Sequence, residues 1–118
     1  MRDLRGKQKK GKLGEDTAVN FLILSGHTIL ERNYRLRFAE IDIISVSGNL
    51  IFFTEVKYWN SSLFVHPLET FNKTKETKMK LAAEAYLSTH VSLRHCFVSF
   101  CLAFLNEKRE LNFYRNLF

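Results

Sequence analysis

Two short runs, Glu40-Ile41-Asp42 and Glu55-Val56-Lys57, bring three carboxylates and a lysine into a short stretch of chain. Their flanks, Ile41 to Val46 and Leu50 to Val56, are rich in β-branched and aromatic residues. Between them Gly48-Asn49 reads as a two-residue hairpin turn with glycine at the first central position, as type II′ requires. That loop predicts a register in which Ser47 faces Leu50, Val46 faces Ile51, Asp42 stands opposite Glu55, and Glu40 stands opposite Lys57. A side-chain period of two then puts Glu40, Asp42, Glu55 and Lys57 on one sheet face. Carboxylates whose Cβ atoms lie about 5 Å apart repel one another and weaken a sheet. A divalent cation between Asp42 and Glu55 turns that repulsion into a binding site, and with a lysine alongside it makes the arrangement that cleaves phosphodiesters. A solvated sheet face also alternates charged with apolar residues. Here, however, the same face continues through Ile44, Val46, Ile51 and Phe53, so the charges end an apolar surface, where like charges need a reason to be.

The elements that must hold these residues follow from the rest of the pattern. Leu13 to Ser25 is helical, with Gly26 as its stop. Glu15, Ala18, Val19 and Leu22 share its inward stripe, which makes Glu15 a candidate functional acid and leaves Asp16 facing water. Thr28 to Glu31 reads as a short strand. The segment Asn33-Tyr34-Arg35-Leu36-Arg37 sets two arginines beside the acidic hairpin, where the planar guanidinium suits phosphate contact. Tyr58-Trp59-Asn60-Ser61-Ser62 is a polar loop whose aromatics stack on a base or pack on the domain edge. Leu68 to Leu87 is helical with a break near Asn72; Met79, Ala82, Ala83, Tyr86 and Leu87 form its inner stripe, and Lys73, Lys75, Lys78 and Lys80 its basic surface. Cys96 to Leu105 and Leu111 to Tyr114 complete a helix, three strands, a helix and two strands, an α/β arrangement with a mixed sheet flanked by helices.

Bulk properties narrow the class of partner. The chain has 118 residues, 46% hydrophobic with eleven Phe, enough for one cored domain over residues 13–118 behind a basic, flexible arm at 1–12. Its 18 Lys+Arg against 12 Asp+Glu give a net charge of +6. A basic surface around an acidic cluster suits a polyanion, an anionic membrane surface or ribosomal RNA. No apolar run approaches the roughly 20 residues of a membrane span, and no signal-type core follows the basic start, so a cytoplasmic protein is expected. Cys96 and Cys101, five apart in the expected strand, point to opposite faces and read as buried free thiols. His66, His90 and His95 lack metal-ligand spacing.

Several motifs in series resemble a known family. Gly14-Glu15-Asp16, Asn33-Tyr34-Arg35, Glu40-Ile41-Asp42-Ile43-Ile44 and Phe53-Thr54-Glu55-Val56-Lys57 are similar to the YraN-type family of small bacterial proteins. The likeness continues through Lys75, Ala82-Ala83, Tyr86-Leu87, Asn112-Phe113-Tyr114 and Leu117-Phe118. Three positions depart from the pattern: Ala39 stands where glycine is usual, Cys96 where an acid is usual, and Trp59 where an arginine is usual. That family is in turn similar to PD-(D/E)XK nucleases such as archaeal Holliday-junction resolvases, of restriction-endonuclease-like fold. The resemblance implies that Glu15 is the first-helix acid, Asp42 the metal-binding aspartate, and Glu55 and Lys57 the glutamate and lysine of the E-x-K half-motif. Asp42, Glu55 and the Val56 carbonyl would hold Mg²⁺ or Mn²⁺, with Glu40 tuning Lys57. Arg35, Arg37 and Lys75 would take backbone phosphates of DNA, branched or single-stranded, and a homodimer is in keeping with resolvases. The competing expectations are a catalytically silent nucleic-acid-binding module of the same fold and a basic protein-interaction domain.

Overall fold

The computed structural model describes residues 4–58 and 67–118, with backbone alone at 4–10, 67 and 70. The loop expected over Trp59 to Ser62, and His66, lie outside the described residues. The elements run α1 (Leu4–Leu24), β1 (Thr28–Arg35), β2 (Glu40–Ser47), β3 (Leu50–Tyr58), a 3-10 turn (Pro67–Thr70), α2 (Lys73–Ser88), a second 3-10 turn (Val91–Leu93), β4 (Phe97–Leu105) and β5 (Leu111–Tyr114). The five strands lie side by side in chain order, antiparallel except for the β3–β4 pair, which is parallel and encloses α2 in its connection. This is the mixed sheet flanked by helices that the pattern predicts.

Each helix covers one sheet face. Ala18, Val19 and Leu22 of α1 pack on Ile43 and Ala103, while Met79, Ala82, Ala83 and Tyr86 of α2 pack on Ile41, Ile44, Ile51, Phe53 and Phe100. With cover on both sides, β3 is apolar in successive residues, and Ile51, Phe52 and Phe53 are all essentially inaccessible. The hairpin turn is as expected: Gly48 sits at φ +60°, and Asn49 is not among the positive-φ residues. The break near Asn72 is a helix cap, in which the Asn72 side chain accepts from the Lys75 backbone N–H at 2.9 Å.

Three boundaries differ from expectation. α1 begins at Leu4 rather than Leu13, because the Lys- and Gln-rich stretch before Leu13 has good helix propensity and continues a helix already nucleated on the sheet. β1 runs on to Arg35, because Tyr34 pairs with Ile41 and stacks edge-on against Tyr86. Cys96 precedes β4 and is half-buried, whereas Cys101 is fully buried within it and burial pushes its thiol pKa up; both are free.

Candidate functional site

The site is built where β2 loses its alternation. Ile43 packs with α1 and Ile41 packs with α2, although residues two apart on a regular strand share a face. The neighbouring strand rolls at the same level: Arg32 reaches α1, Tyr34 reaches α2, and Asn33 between them takes a left-handed φ of 54°. Asn tolerates that region better than most residues, because its short polar side chain can bond locally. Asp42 stands at this roll. The β2–β3 ladder is recorded from Ser47–Leu50 to Ile43–Thr54 and no further. Continuing that register would set Ile41 against Val56. Instead, Asp42 Oδ2 takes the Val56 backbone N–H at 2.7 Å, so a side chain replaces a ladder carbonyl.

This position makes Asp42 common to both faces. On the α2 side it lines a cavity of about 370 Å³ together with Glu40, Glu55, Arg35, Lys75 and Lys78. On the α1 side it lines a smaller one of about 160 Å³ with Gly11, Glu15, Val56 and Tyr58. Burial pushes the Asp42 carboxyl up to about 6; the Val56 N–H opposes this, while the charges of Glu55, Glu40 and Glu15 add to it. Groups moved this far by burial, with further carboxylates adding to the shift, are concentrated at functional sites, which makes Asp42 the centre of the candidate.

The partners of each acid are specific. Glu55 Oε1 accepts from Lys75 Nζ at 2.6 Å, and its Oε2 is buried with no hydrogen-bond partner. Glu15, on the buried stripe as predicted and 13% exposed, accepts from Arg32 Nε at 2.9 Å and Asn33 Nδ2 at 3.0 Å. Asp16 faces outward but is held by Arg32 Nη2 at 2.6 Å, so one guanidinium ties both acids of α1 to β1.

Not every expected residue joins the cluster. Glu40 does not face Lys57, since the ladder ends before reaching them; its partner is Arg35 at 3.4 Å. Lys57 lies two residues beyond Glu55 on regular β3, opposite Phe104 of β4, and lines neither cavity. Among the described residues it forms no ion pair, and the lysine on Glu55 is Lys75. Arg35 lines the larger cavity, and Arg37 sits exposed in the β1–β2 turn. Sequence reasoning passed over Arg32 and Phe38, and it named Asn33 and Lys78 only as members of a segment and of a basic helix face, without a place in the site. Arg32 and Asn33 carry no periodic signal, because their role depends on the roll of the strand pair.

Among the described residues no three His, Cys, Asp or Glu side chains converge as a complete metal-holding group. The donors fit a hard divalent ion nonetheless. The Glu55 Oε2 is buried without a hydrogen-bond partner, and Asp42, which lines the same cavity, is a carboxylate destabilised in its charged form. Two carboxylates, a backbone carbonyl and several waters are a set that Mg²⁺ accepts. No helix among the described residues is long and apolar enough to cross a membrane.

Comparison with known proteins gives the family of the chain. A protein of Leptospira interrogans, called a UPF0102 protein, is 48% identical over 112 residues, covering 95% of this chain and 97% of its own length. Another UPF0102 protein, from Caldicellulosiruptor saccharolyticus, is 37% identical over 117 residues, covering 95% and 98%. The model of the family described as "Uncharacterised protein family UPF0102" matches residues 14–105, a span that runs from the first residue before Glu15 to the end of β4 and so contains every acid of the cluster. The chain therefore belongs to the UPF0102 family.

Proposed function

We propose that this protein is a metal-dependent endonuclease acting on DNA, of restriction-endonuclease-like fold, with a PD-(D/E)XK-type site formed by Asp42, Glu55 and Lys57. The observation that carries the reading is the Glu55 carboxylate: one oxygen is paired with Lys75, and the other is buried without a partner against the Asp42 cavity. A merely structural carboxylate has both oxygens satisfied or in water. In this reading Asp42, Glu55 and the Val56 carbonyl hold Mg²⁺ or Mn²⁺. The chemistry supplied by such an ion is Lewis-acid polarisation of the scissile phosphate and activation of water. Lys57 is outside the cavity wall but on the same face of β3 as Glu55, two residues on; from there its long side chain would reach in to stabilise charge developing on the phosphoryl oxygens. Glu15, oriented by Arg32 and Asn33, accepts a proton. Arg35, Arg37, Lys75 and Lys78 take flanking phosphates, in keeping with the net charge of +6.

A second reading, a nucleic-acid-binding module that does not cut, is favoured by the Lys75–Glu55 pair, because a lysine already neutralises one oxygen of Glu55. Cleavage assays separate the two. Wild type, Asp42→Asn and Glu55→Gln are given labelled single-stranded, duplex and four-way-junction DNA, with Mg²⁺, with Mn²⁺ and with chelator. Metal-dependent cutting by wild type, lost in both variants while binding persists, is the expected result. Equal binding by all three proteins, unaffected by chelator and without any product, would overturn the nuclease reading.

A further inference from the structure

The acidic cavity has an aromatic at its mouth that the proposed chemistry does not use. Phe38 sits in the four-residue connection between β1 and β2, 52% exposed, and lines the same cavity as Asp42, Glu55 and Lys75. Among the described residues it is the one large, exposed apolar side chain lining that cavity. Its neighbours differ from it: Leu36 and Ala39 pack on the α2-side core, and Leu36 N–H donates to Ala39 O at 2.8 Å. The turn is thus pinned at both legs, and the core has room for the residues flanking Phe38 but does not take the ring. A phenyl ring left in water forgoes the stabilisation of burial, and this one shares its cavity with the cations Arg35 and Lys78, with Arg37 next to it in sequence.

We propose that Phe38 is a stacking platform for an unpaired nucleobase next to the scissile phosphate, so that the substrate class is DNA with a single-stranded segment at the site. The inference rests on the nuclease reading for the identity of the ligand. The chemistry is that of single-strand binding: cations hold the phosphates, and an aromatic face takes the base without regard to its identity. In duplex DNA the faces of each base are covered by its neighbours, so a ring at the cavity mouth has nothing to stack on. A flap, a frayed end or a single strand supplies a free face at the nucleotide whose phosphate reaches Asp42 and Glu55.

The test measures binding in chelator, so that it does not depend on cutting. A fluorescein-labelled single strand, and the same strand annealed to its complement, are titrated with wild type, Phe38→Ala and Phe38→Trp. Removing a stacked base is expected to weaken single-strand binding roughly 5- to 150-fold in Phe38→Ala, while duplex affinity stays within about twofold, since backbone contacts dominate there. Phe38→Trp restores affinity, and its emission is quenched by the single strand beyond any change in wild type, whose one tryptophan is Trp59. Unchanged single-strand affinity in Phe38→Ala, or an equal loss on both DNAs, would overturn the stacking role. Wild type that binds neither DNA removes the nucleic-acid reading and the stacking role with it. Wild type that binds but never cuts with metal removes the nuclease reading alone, and the Phe38→Ala comparison still decides the stacking role.

Discussion

Asp42 should cost this protein stability at neutral pH, and the cost can be worked out. Its carboxyl is pushed up to about 6 in the folded chain, against 3.8 for the ordinary side chain. A raised acid pKa means that the native state binds the proton more tightly than the unfolded state does. Below 3.8 both states are protonated and the favourable contribution of the neutral acid is fully present. Between 3.8 and about 6 the unfolded chain has lost its proton and the native chain has not, so each pH unit removes up to about 1.4 kcal/mol of stability. Above about 6 both are ionised and the loss is complete, at about 3 kcal/mol. Asparagine cannot titrate and keeps an oxygen for the Val56 N–H, so Asp42→Asn removes the effect without removing the bond. The assay is denaturant unfolding of wild type and Asp42→Asn in chelator from pH 4 to 7.5, followed by circular dichroism. The difference between the two proteins cancels carboxylates common to both. It should grow by about 2.4 kcal/mol in favour of the variant as pH rises from 4 to 7.5, because the unfolded chain is already partly ionised at pH 4, or roughly 10 °C in Tm for a chain of this size. A difference that stays flat with pH, or a variant less stable than wild type at pH 7, would refute the argument that Asp42 is held as a strained, desolvated charge.

The remaining expectations concern the groups around it. Millimolar Mg²⁺ or Mn²⁺ should raise the Tm of wild type but not of Asp42→Asn or Glu55→Gln, by the equivalent of about 1.4 kcal/mol at ten times the dissociation constant; thermal melts with and without chelator check this, and equal shifts in all three proteins would place the ion elsewhere. Arg32→Gln should cost about 1–3 kcal/mol in urea unfolding, because it leaves the half-buried Glu15 with Asn33 alone and releases Asp16. Arg32→Lys should recover less than half of that, since a single ammonium cannot reproduce a fork donating to both acids. Lys75→Met should destabilise by a similar amount, because Glu55 then loses the ammonium on its Oε1, and it should steepen the stabilisation by Mg²⁺; unchanged unfolding would show that the Lys75–Glu55 pair is cosmetic.

How much of this was legible in the sequence depends on whether the signal was local. The Gly48-Asn49 turn and the apolar runs beside it dictate the β2–β3 hairpin, because glycine at positive φ and β-branched alternation act within a few residues of one another. The stripe of Ala18, Val19 and Leu22, with Glu15 in line, likewise follows from helical spacing alone. The cap at Asn72 was visible as a break in the helical pattern. Lys75, by contrast, reads from sequence as one of four lysines on a solvated helix face, and nothing local separates it from Lys73 or Lys78. Its partner, Glu55, lies 20 positions away in sequence.

The misplacement of Glu40 and Lys57 shows where local rules stop. A strict period of two carries the hairpin register down to Asp42 against Glu55 and Glu40 against Lys57, yet the ladder ends at Ile43–Thr54. The same rule would send Ile41 and Ile43 to one face, but each is fully buried under a different helix. Two helices, one on each side of a strand pair, are what make the roll favourable: both isoleucines gain a core, and Asn33 in β1 takes the left-handed angle that the roll demands. The residue between them is then left in neither face. An apolar side chain there would have nothing to pack on, and a neutral ladder would have a gap at the Val56 N–H. A carboxylate fills that gap from the side and arrives between the acid of α1 and the acid of β3. Asp42 meets both Glu15 and Glu55 because of a departure from strand regularity, so an argument from regularity could identify the acids but not the way they come together.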